Sequence, residues 1–495
     1  MKKVFFLILS YFIYGRGFAQ DNLFHSQDDL FHASLGTQGI MTSKDHVPFW
    51  MRSNQFGSIP LPGTSASFIG TARIDYDSTN RQLVDWGASV EARADLGSSS
   101  RVTLIEGYGK LRVSIFELKA GRVKEIMGLV DTSLSSGAFS ISGNALGIPK
   151  VQISIPEYWN LPFGRKLFAI KGNFALGWLG EQKIQYPDSI PSAKTYFHQS
   201  SFYARLGRPD WRLKLYAGFN HQVFWGSEKK VFGKNYPFSE FKTFEYVVLG
   251  RTWVGSKIGN HLGSVDLRAD YDFENIRIGL YRQNFYDEGA LAKLANIADG
   301  LNGLCIENKA TSEDGTSEDG FHWHKVLFEF FYSKNQAGYP DSKRTKSGDE
   351  NYYNNYQYTK GWSYKGLGLG NPFITTSTST RAGLPNDSTD FFNNNRVMAF
   401  YGGMEGSIGD YYFTAKASYS FNYGTFGTSQ WGHSTGYTFS TPHFGLFKEV
   451  KQFSAYLEVK RALKNGWEAG AVAALDAGDL LYNSSGLILK LKKSF

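Results

Sequence analysis

The last ten residues of the chain, GLILKLKKSF, constrain its fold more than any other stretch. Counted back from the end in steps of two, one parity is nearly all apolar and the other nearly all polar: Phe495, Lys493, Leu491, Leu489 and Leu487 against Ser494, Lys492, Lys490 and Ile488. A period of two belongs to a β-strand whose faces meet different surroundings. A transmembrane barrel strand fits this pattern, and so does the edge strand of a soluble sandwich.

The start of the chain favours the barrel. Lys2 and Lys3 precede the apolar run VFFLILSYFIY, and the small residues Gly17 and Ala19 stand before a cleavage site at about Gln20, which is the pattern of a secretory signal peptide. Nothing after residue 19 approaches the run of about eighteen apolar residues that a helical span needs. We therefore expect a signal peptide over 1–19. We expect 20–495 to form one β-barrel domain in the outer membrane of a Gram-negative bacterium.

The composition agrees with a barrel and gives little information about partners. Aromatic residues make up 16%, with 40 Phe, 29 Tyr and 11 Trp beside 54 Gly, and aromatic girdles with glycine-containing strands account for this combination. The formal charge is +8, and removing the signal peptide leaves 50 basic against 45 acidic residues, or +5. This weak bias and the lack of a long basic run predict no nucleic-acid partner.

Alternating segments recur along the chain at the spacing of barrel strands. From Val84 to Leu96, apolar residues at even positions face acids and an arginine at odd positions. Similar alternation occurs at 202–206 with 213–219, 265–271 with 276–280, 326–332, 411–421, 453–459, 467–475 and the closing strand. At about 25 residues per strand and connection, the chain provides about 16 to 20 strands.

Other segments depart from this pattern. Residues 21–44 are polar and irregular, which predicts a periplasmic N-terminal segment without a strong strand. Leucine and alanine recur at helical spacing in DEGALAKLANIA, residues 287–298, and predict a short helix. The repeat TSEDGTSEDG at 311–320 and the polar segment 335–361 predict long extracellular loops, and the repeat lacks the ligand spacing of a calcium loop.

Four clusters combine aromatic residues, planar polar side chains and glycine: PFWMRSNQFG (48–57), GFNHQVFWG (218–226), DGLNG (299–303) and KGWSY (360–364) leading to LGNP (369–372). Sugars stack their apolar faces on aromatic rings and bond their hydroxyls to amides and guanidinium groups, so the clusters suit glycan binding. Aromatic girdles, packing in the lumen and turn glycines would also explain them, and for any single cluster this explanation is favoured over a ligand site. The sequence contains no H-E-x-x-H or phosphate-loop motif, and we expect no enzyme activity, cofactor or metal.

In this order, PFWMRSNQFG, NHQVFWG, the D-G-L-x-G segment and GWSYKGLGLGNPF resemble the capsule assembly Wzi family of outer-membrane proteins. The resemblance implies a barrel of about 18 strands with short helices plugging the periplasmic end. It implies a non-enzymatic lectin that binds capsular or exopolysaccharide and helps its assembly or attachment. Carried onto this chain, the matching positions are Trp50, Arg52, Asn54, Gln55, His221, Gln222, Trp225, Asp299, Trp362 and Tyr364.

The partners expected from the sequence are this polysaccharide and outer-membrane lipid, with the protein acting as a monomer. The main alternative is a diffusion porin for small solutes, which would have an open lumen. A third class, an outer-membrane lipid hydrolase, would need a serine and a histidine within hydrogen-bond reach facing the membrane.

Overall fold

The computed structural model describes residues 30–77, 83–97, 100–287, 294–309, 320–338, 350–432, 434–435, 438–439 and 445–495. The predicted signal peptide and nine of the ten residues of the acidic repeat lie outside them. Eighteen strands form one antiparallel sheet in which each strand pairs with its neighbours in sequence, and the last pairs with the first. The sheet is therefore a closed barrel, and the predicted fold and strand number are confirmed.

The barrel strands are β1 (Phe31–Thr42), β2 (Ser65–Ile74), β3 (Val84–Gly97), β4 (Arg101–Val113), β5 (Phe116–Arg122), β6 (Lys150–Asn160), β7 (Phe168–Lys183), β8 (Ser192–Leu206), β9 (Leu213–Trp225), β10 (Asn260–Asp272), β11 (Ile276–Asp287), β12 (Gly300–Asn308), β13 (Phe321–Tyr332), β14 (Val397–Ile408), β15 (Tyr411–Asn422), β16 (Val450–Ala462), β17 (Trp467–Gly478) and β18 (Ser484–Ser494). The helices named below are α1 (Phe49–Arg52), α2 (Glu228–Phe232) and α3 (Glu240–Leu249). Two-residue ribbons pair Thr252–Trp253 with Ser256–Lys257, Ser363–Tyr364 with Leu367–Gly368, and Ser434–Thr435 with Thr438–Phe439.

The outside of the barrel is apolar and the inside is polar. In β18 the outward residues Leu487, Leu489 and Leu491 are 37%, 52% and 43% exposed, whereas the inward Ile488 is 2% exposed. In β3 the inward Arg93 and Asp95 form a buried ion pair at 2.7 Å. This arrangement reverses that of a water-soluble protein and suits a wall between lipid and lumen. No helix in the described ranges is both long and apolar enough to span a bilayer.

The polar segment near the start of the chain contains a strand that the sequence did not predict. Phe31–Thr42 forms β1, which pairs with β2 on one side and with β18 on the other. Its outward residues include Leu35 and Met41, but Thr37 and Gly39 interrupt the apolar parity. The prediction of no strong strand is wrong because two fully formed neighbours provide the hydrogen bonds that a weak local pattern cannot specify.

The connections at the two ends of the barrel differ in length. The end that holds the start of β1 and the end of β18 has connections of two residues (114–115) to twelve (309–320). At the opposite end the connections include 43–64, 123–149, 226–259, 333–396 and 423–449. Because barrels of this class have short periplasmic turns and long outer loops, the second end is the extracellular one. The prediction of an extracellular loop at the acidic repeat is therefore wrong, because Asn308 and Phe321, which flank its connection, both lie at the periplasmic end.

Three extracellular connections fold into the barrel, and we call them together the plug: residues 43–64, 123–149 and the described part of 333–396. Their apolar side chains form one buried cluster with inward residues of the wall. Its largest buried aromatic members include Trp50, Phe139, Tyr352, Tyr353, Trp362 and Phe392. The hydrophobic core of this protein therefore lies within the lumen.

The helices occupy different positions from those predicted. Helix α1 belongs to the plug, and α2 and α3 lie in the connection 226–259, so all three start from the extracellular end. In the described part of the chain, no α-helix lies in a periplasmic turn. The helix predicted over 287–298 is also corrected in its described part: 294–298 forms turns, because Leu294 has a left-handed backbone (φ 52°) that ends any helix there.

Candidate functional site

Buried carboxylates of the barrel wall and rim hold the plug in place. Each accepts hydrogen bonds from plug backbone N–H groups: Asp266 from Leu129 (2.8 Å), Glu329 from Ser136 (2.6 Å), Asp476 from Phe49 (2.8 Å), and Asp299 from Asn335 (2.9 Å) and Gln336 (2.7 Å). Bonds from N–H groups to carboxylates are stronger than those between neutral groups. The floor of the extracellular mouth is thus fixed to the wall at several points.

The first predicted cluster lies in the plug at and after α1. Trp50 is buried, donates from Nε1 to Ser418 Oγ at 3.0 Å, and has Phe49, Phe373 and Tyr401 against its ring. Asn54 has a left-handed backbone and donates from Nδ2 to the carbonyl of Ser136 at 2.8 Å. Gln55 is partly exposed beside it. This cluster packs the plug together, with Trp50 covered by protein on its faces.

The second predicted cluster divides between the two faces of the wall. His221 and Trp225 point outward from β9, whereas Gln222, between them, points inward and is fully buried. His221 Nε2 lies 2.8 Å from His261 Nδ1, and the Trp225 ring lies 5.3 Å from that of Phe244 in α3. The structure therefore does not bring His221 and Trp225 to the same site as the other predicted residues.

Asp299, from the third cluster, lies at the extracellular start of β12 and is fully buried. Besides the two backbone N–H groups of the plug, it accepts a hydrogen bond from the Tyr352 hydroxyl at 2.7 Å. Burial raises the pKa of Asp299 to about 6, although these donors and the Arg396 guanidinium favour its charged form. Asp299 therefore fixes this part of the plug to the wall of the barrel.

The fourth cluster is also part of the plug. Trp362 is fully buried, stacks on Phe224 at 4.2 Å between ring centroids, and donates from Nε1 to the carbonyl of Ser140 at 2.8 Å. The Tyr364 hydroxyl accepts from Arg122 at 3.2 Å. Gly361 at φ 47° allows this packing, because a Cβ there would lie 1.9 Å from the carbonyl oxygen of Tyr353.

Arg52 is the predicted residue that reaches a cleft at the extracellular mouth. The cleft has a volume of about 50 Å³ and is lined by His46, Val47, Arg52, Leu61, Thr378, Ser379, Asp476, Leu481, Tyr482 and Ser484. His46 and Tyr482 stack at 4.2 Å with their rings 8° from parallel. Burial lowers the pKa of Arg52, and Asp476 partly opposes this shift. Hydroxyls, a guanidinium and a carboxylate beside flat rings provide the groups that bind sugars.

The mouth also exposes aromatic residues outside the four sequence clusters. Tyr186, Tyr356 and Trp431 are 63%, 53% and 46% exposed on extracellular connections. The Gln185 N–H donates to the carbonyl of Gln357 at 2.9 Å, so Tyr186 and Tyr356 adjoin the same hydrogen bond between two loops. Like His46 and Tyr482, they lie in loops without periodicity, where the sequence gives no sign of which residues are exposed.

One group in the described part of the chain has the spacing of metal ligands: Asp131, Cys305 and Glu307 place one ligand atom each within 4.8 Å of the others. The Lys325 ammonium pairs with Asp131 at 2.9 Å and with Glu307 at 3.5 Å. Because lysine already supplies the cation here, this arrangement is a charge network of the lumen rather than a metal site.

The fold and the filled lumen define an outer-membrane β-barrel whose extracellular connections occupy its interior. A family model for capsule assembly protein Wzi matches residues 32–404, most of the chain. The chain belongs to this family and is a capsule-assembly protein of the outer membrane. The family is not one of enzymes.

Solved outer-membrane barrels resemble the chain only distantly. OccAB2 of Acinetobacter baumannii is 13% identical over 95% of this chain and 99% of its own, with a TM-score of 0.46. The outer membrane protein OprD of Pseudomonas aeruginosa is 12% identical over 94% and 93%, with a TM-score of 0.46. No curated protein gives a significant match.

Proposed function

We propose that this protein binds capsular or exopolysaccharide at its extracellular mouth and helps to assemble or attach it at the cell surface. The observation that carries the proposal is the plug: long extracellular connections fold inward around buried aromatic residues, so the mouth has a floor of fixed side chains. A fixed floor suits the binding of a long polymer, because few loop residues need to be ordered when it binds.

Within this proposal, the cleft at Arg52 contacts the polysaccharide directly. It combines a guanidinium, three hydroxyl-bearing side chains of the plug and wall, and the His46–Tyr482 stack in one concave surface at the mouth. The weak positive charge of the chain supports a mild preference for acidic sugars. Membership of a capsule-assembly family supports the same class of ligand.

The other predicted site residues enter the proposal in a different role. Trp50, Asp299 and Trp362 have their faces or polar atoms engaged by the protein itself. We infer that they support binding by holding the plug, as do Asn54, Gln222 and Tyr364. Gln55 is partly exposed and can reach the polymer, whereas His221 and Trp225 lie on the outer wall.

Binding to the polysaccharide extracted from the source cell tests the proposal. The full-length protein is held in lipid nanodiscs, and its affinity is compared with those of Arg52→Gln and Tyr482→Ala. We expect each variant to bind about tenfold more weakly, the effect of losing about 1.4 kcal/mol of contact energy. Heat-modifiable migration on gels checks that each variant is folded.

The control is Tyr411→Ala, which removes an exposed tyrosine from the periplasmic end of the barrel, far from the cleft. This variant is expected to bind like the parent protein. Equal affinities for all four proteins would show that the cleft is not where the polysaccharide binds. No measurable binding by the folded parent would contradict the proposed function itself.

A further inference from the structure

The connection 226–259, which we call the outer flap, folds over the outside of the barrel. Its inner side packs on outward residues of β8, β9 and β10 and buries polar side chains there. Val223, Tyr236, Val247 and Ile258 form an apolar cluster between flap and wall. Phe244 of α3 lies edge-on to His198 at 5.7 Å, and His221 and His261 are covered beside it. The flap therefore shields histidines that would otherwise face lipid.

The other side of the outer flap is apolar and exposed. Phe241 and Leu249 of α3 are 79% and 57% exposed, and Val254 at the ribbon turn is 85% exposed. Phe241, Glu245 and Leu249 follow each other at intervals of four, so they share one helix face. Glu245 pairs with Lys242 at 2.8 Å and with Arg251 at 2.6 Å, and its charge is neutralised. Helix α3 thus presents apolar side chains towards both the wall and the outside.

The position of the flap makes this apolar face continuous with the lipid-facing wall. Phe244 packs on Phe174 of β7, with their ring centroids 6.3 Å apart. The next two outward positions of β7, Leu176 and Trp178, are exposed like the rest of the lipid-facing surface. Helix α3 therefore lies beside the membrane-spanning wall at its extracellular end, the level of the outer leaflet.

The charge of the outer flap is positive. It contains six basic residues, Lys229, Lys230, Lys234, Lys242, Arg251 and Lys257, and three acidic ones, Glu228, Glu240 and Glu245. Glu228 is buried and accepts the Gly226 N–H at 2.7 Å, and burial raises its pKa to about 7. Apolar side chains next to basic residues form the pattern of a segment that lies in the interface of an anionic membrane.

We propose that the outer flap binds the outer leaflet: Phe241, Leu249 and Val254 insert between acyl chains, and its lysines contact anionic, phosphate-bearing lipid head groups. The flap then anchors the extracellular end of the barrel to the surrounding lipid. This role is independent of polysaccharide binding, because it uses the outside of the wall and none of the residues of the mouth cleft.

Depth measurements on the full-length protein test the apolar half of the proposal. The buried Cys305 is first replaced by serine, so that the chain has no other cysteine. Phe241→Cys, Leu249→Cys and Val254→Cys are then introduced singly into this Cys305→Ser protein, and each new cysteine is labelled with an environment-sensitive fluorophore. We expect spin-labelled lipid in nanodiscs to quench all three labels, and iodide in the water to quench them weakly. Leu267→Cys on the lipid-facing wall is the positive control, and Tyr356→Cys at the mouth is the negative control. Labels at 241, 249 and 254 that respond like the one at 356 would overturn the proposal.

Lipid retention tests the charged half. Nanodiscs contain phosphatidylcholine with or without phosphatidylglycerol, and native mass spectrometry counts the lipids that remain bound to each barrel. We expect the triple variant Lys229→Gln, Lys230→Gln, Lys234→Gln to retain less than half as much phosphatidylglycerol as the parent. Its control neutralises three lysines at the mouth: Lys44→Gln, Lys360→Gln and Lys365→Gln. Equal losses in the two triple variants would show that the flap has no special role in head-group binding.

Discussion

At the scale of single residues, the unusual feature is acid groups buried against backbone N–H donors. Asp299 is the clearest example outside the membrane-spanning strands, because it joins the start of β12 to two N–H groups and a tyrosine of the plug. A buried carboxylate that accepts hydrogen bonds from three donors holds those donors in place, but its burial disfavours its charged form. Its protonation is therefore linked to the stability of the plug.

This linkage predicts how the plug responds to pH. The pKa of Asp299 is about 6 in the folded protein and near its ordinary value of 3.8 when unfolded, so between these values the folded form holds a proton that the unfolded form has lost. Its contribution to stability is complete below about pH 4 and is lost as the pH rises to about 6. The change is on the order of 3 kcal/mol.

Hydrogen exchange at the Asn335 and Gln336 amides measures this pH-dependent change in the stability of the plug. Protection of these amides in the parent, relative to Asp299→Asn at the same pH, is expected to fall by at least about tenfold between pH 4 and pH 7. The asparagine variant removes the titrating group and serves as the reference for intrinsic exchange. Parallel profiles for the two proteins would show that Asp299 does not control the plug.

The sequence showed which residues are unusual, but not what covers them. Strand parity correctly separates Gln222 from its neighbours His221 and Trp225 on the two faces of β9. It does not reveal that a flap 226–259 buries the outer two, because that depends on contacts distant in sequence. For the same reason, Trp50 and Trp362 suggested ligand platforms from their local composition, while the structure places them against Phe373 and Phe224.

At the scale of elements, strands were easier to predict than their connections. Apolar outward residues and polar inward residues alternate regularly in β3 and β18, because the face towards lipid must be apolar. They do so weakly in β1, where serine, threonine and glycine leave the pairing to neighbouring strands. The connections have no such external constraint, and their folds are set by a few specific anchors.

Arg381 is one such anchor, between the plug and the turn that joins β17 to β18. Its guanidinium donates to the carbonyls of Gly478 at 2.6 Å and Leu481 at 3.0 Å, and lies 3.7 Å from Asp479. This turn also carries Tyr482, whose hydroxyl accepts from the Ala382 N–H at 3.0 Å. The anchor thus positions one wall of the mouth cleft.

We expect Arg381→Ala to release this wall. Loss of a charged nitrogen that donates to two carbonyls removes about 1–3 kcal/mol of local stability, and amide exchange over 376–384 and 479–483 should accelerate about tenfold or more. Arg381→Lys should recover only part of the protection, because a single ammonium cannot replace both the nitrogen that bonds the carbonyls and the one that faces Asp479. Arg461→Ala, which breaks an exposed ion pair with Asp410 at the periplasmic end, is the control and should leave both segments unchanged. Unchanged exchange in Arg381→Ala would contradict the anchoring role.

At the scale of the whole molecule, the extracellular connections fold in two opposite directions. Residues 43–64, 123–149 and 333–396 turn into the lumen and build its core, whereas 226–259 turns outward onto the lipid-facing wall. Three cavities lined by both plug and wall residues are small, about 10 to 50 Å³ each. A barrel of this width would conduct ions if it were empty, so the inward loops determine whether the protein is a pore.

Conductance in planar bilayers therefore distinguishes a plugged polysaccharide-binding barrel from a porin. The parent protein is expected to be nearly silent. Gly121 of β5 pairs directly with Lys150 of β6, so a short glycine–serine turn can replace 123–149 without parting the strands. This variant should show stable, open conductance, because it removes backbone partners of Asp266 and Glu329 and the phenylalanine that stacks on Phe285.

The outer flap provides a matched control of similar length. Phe224 of β9 pairs with Asn260 of β10, so a short turn can replace 227–258 in the same way. Because the flap lies outside the barrel, its removal should leave the channel silent. Large, steady conductance by the parent would make the protein a porin. Silence after removal of 123–149 would show that the other two inward connections are enough to close the lumen. Conductance only in the variant that lacks 123–149 would show that this connection closes the lumen, as the contacts of its backbone with the wall imply.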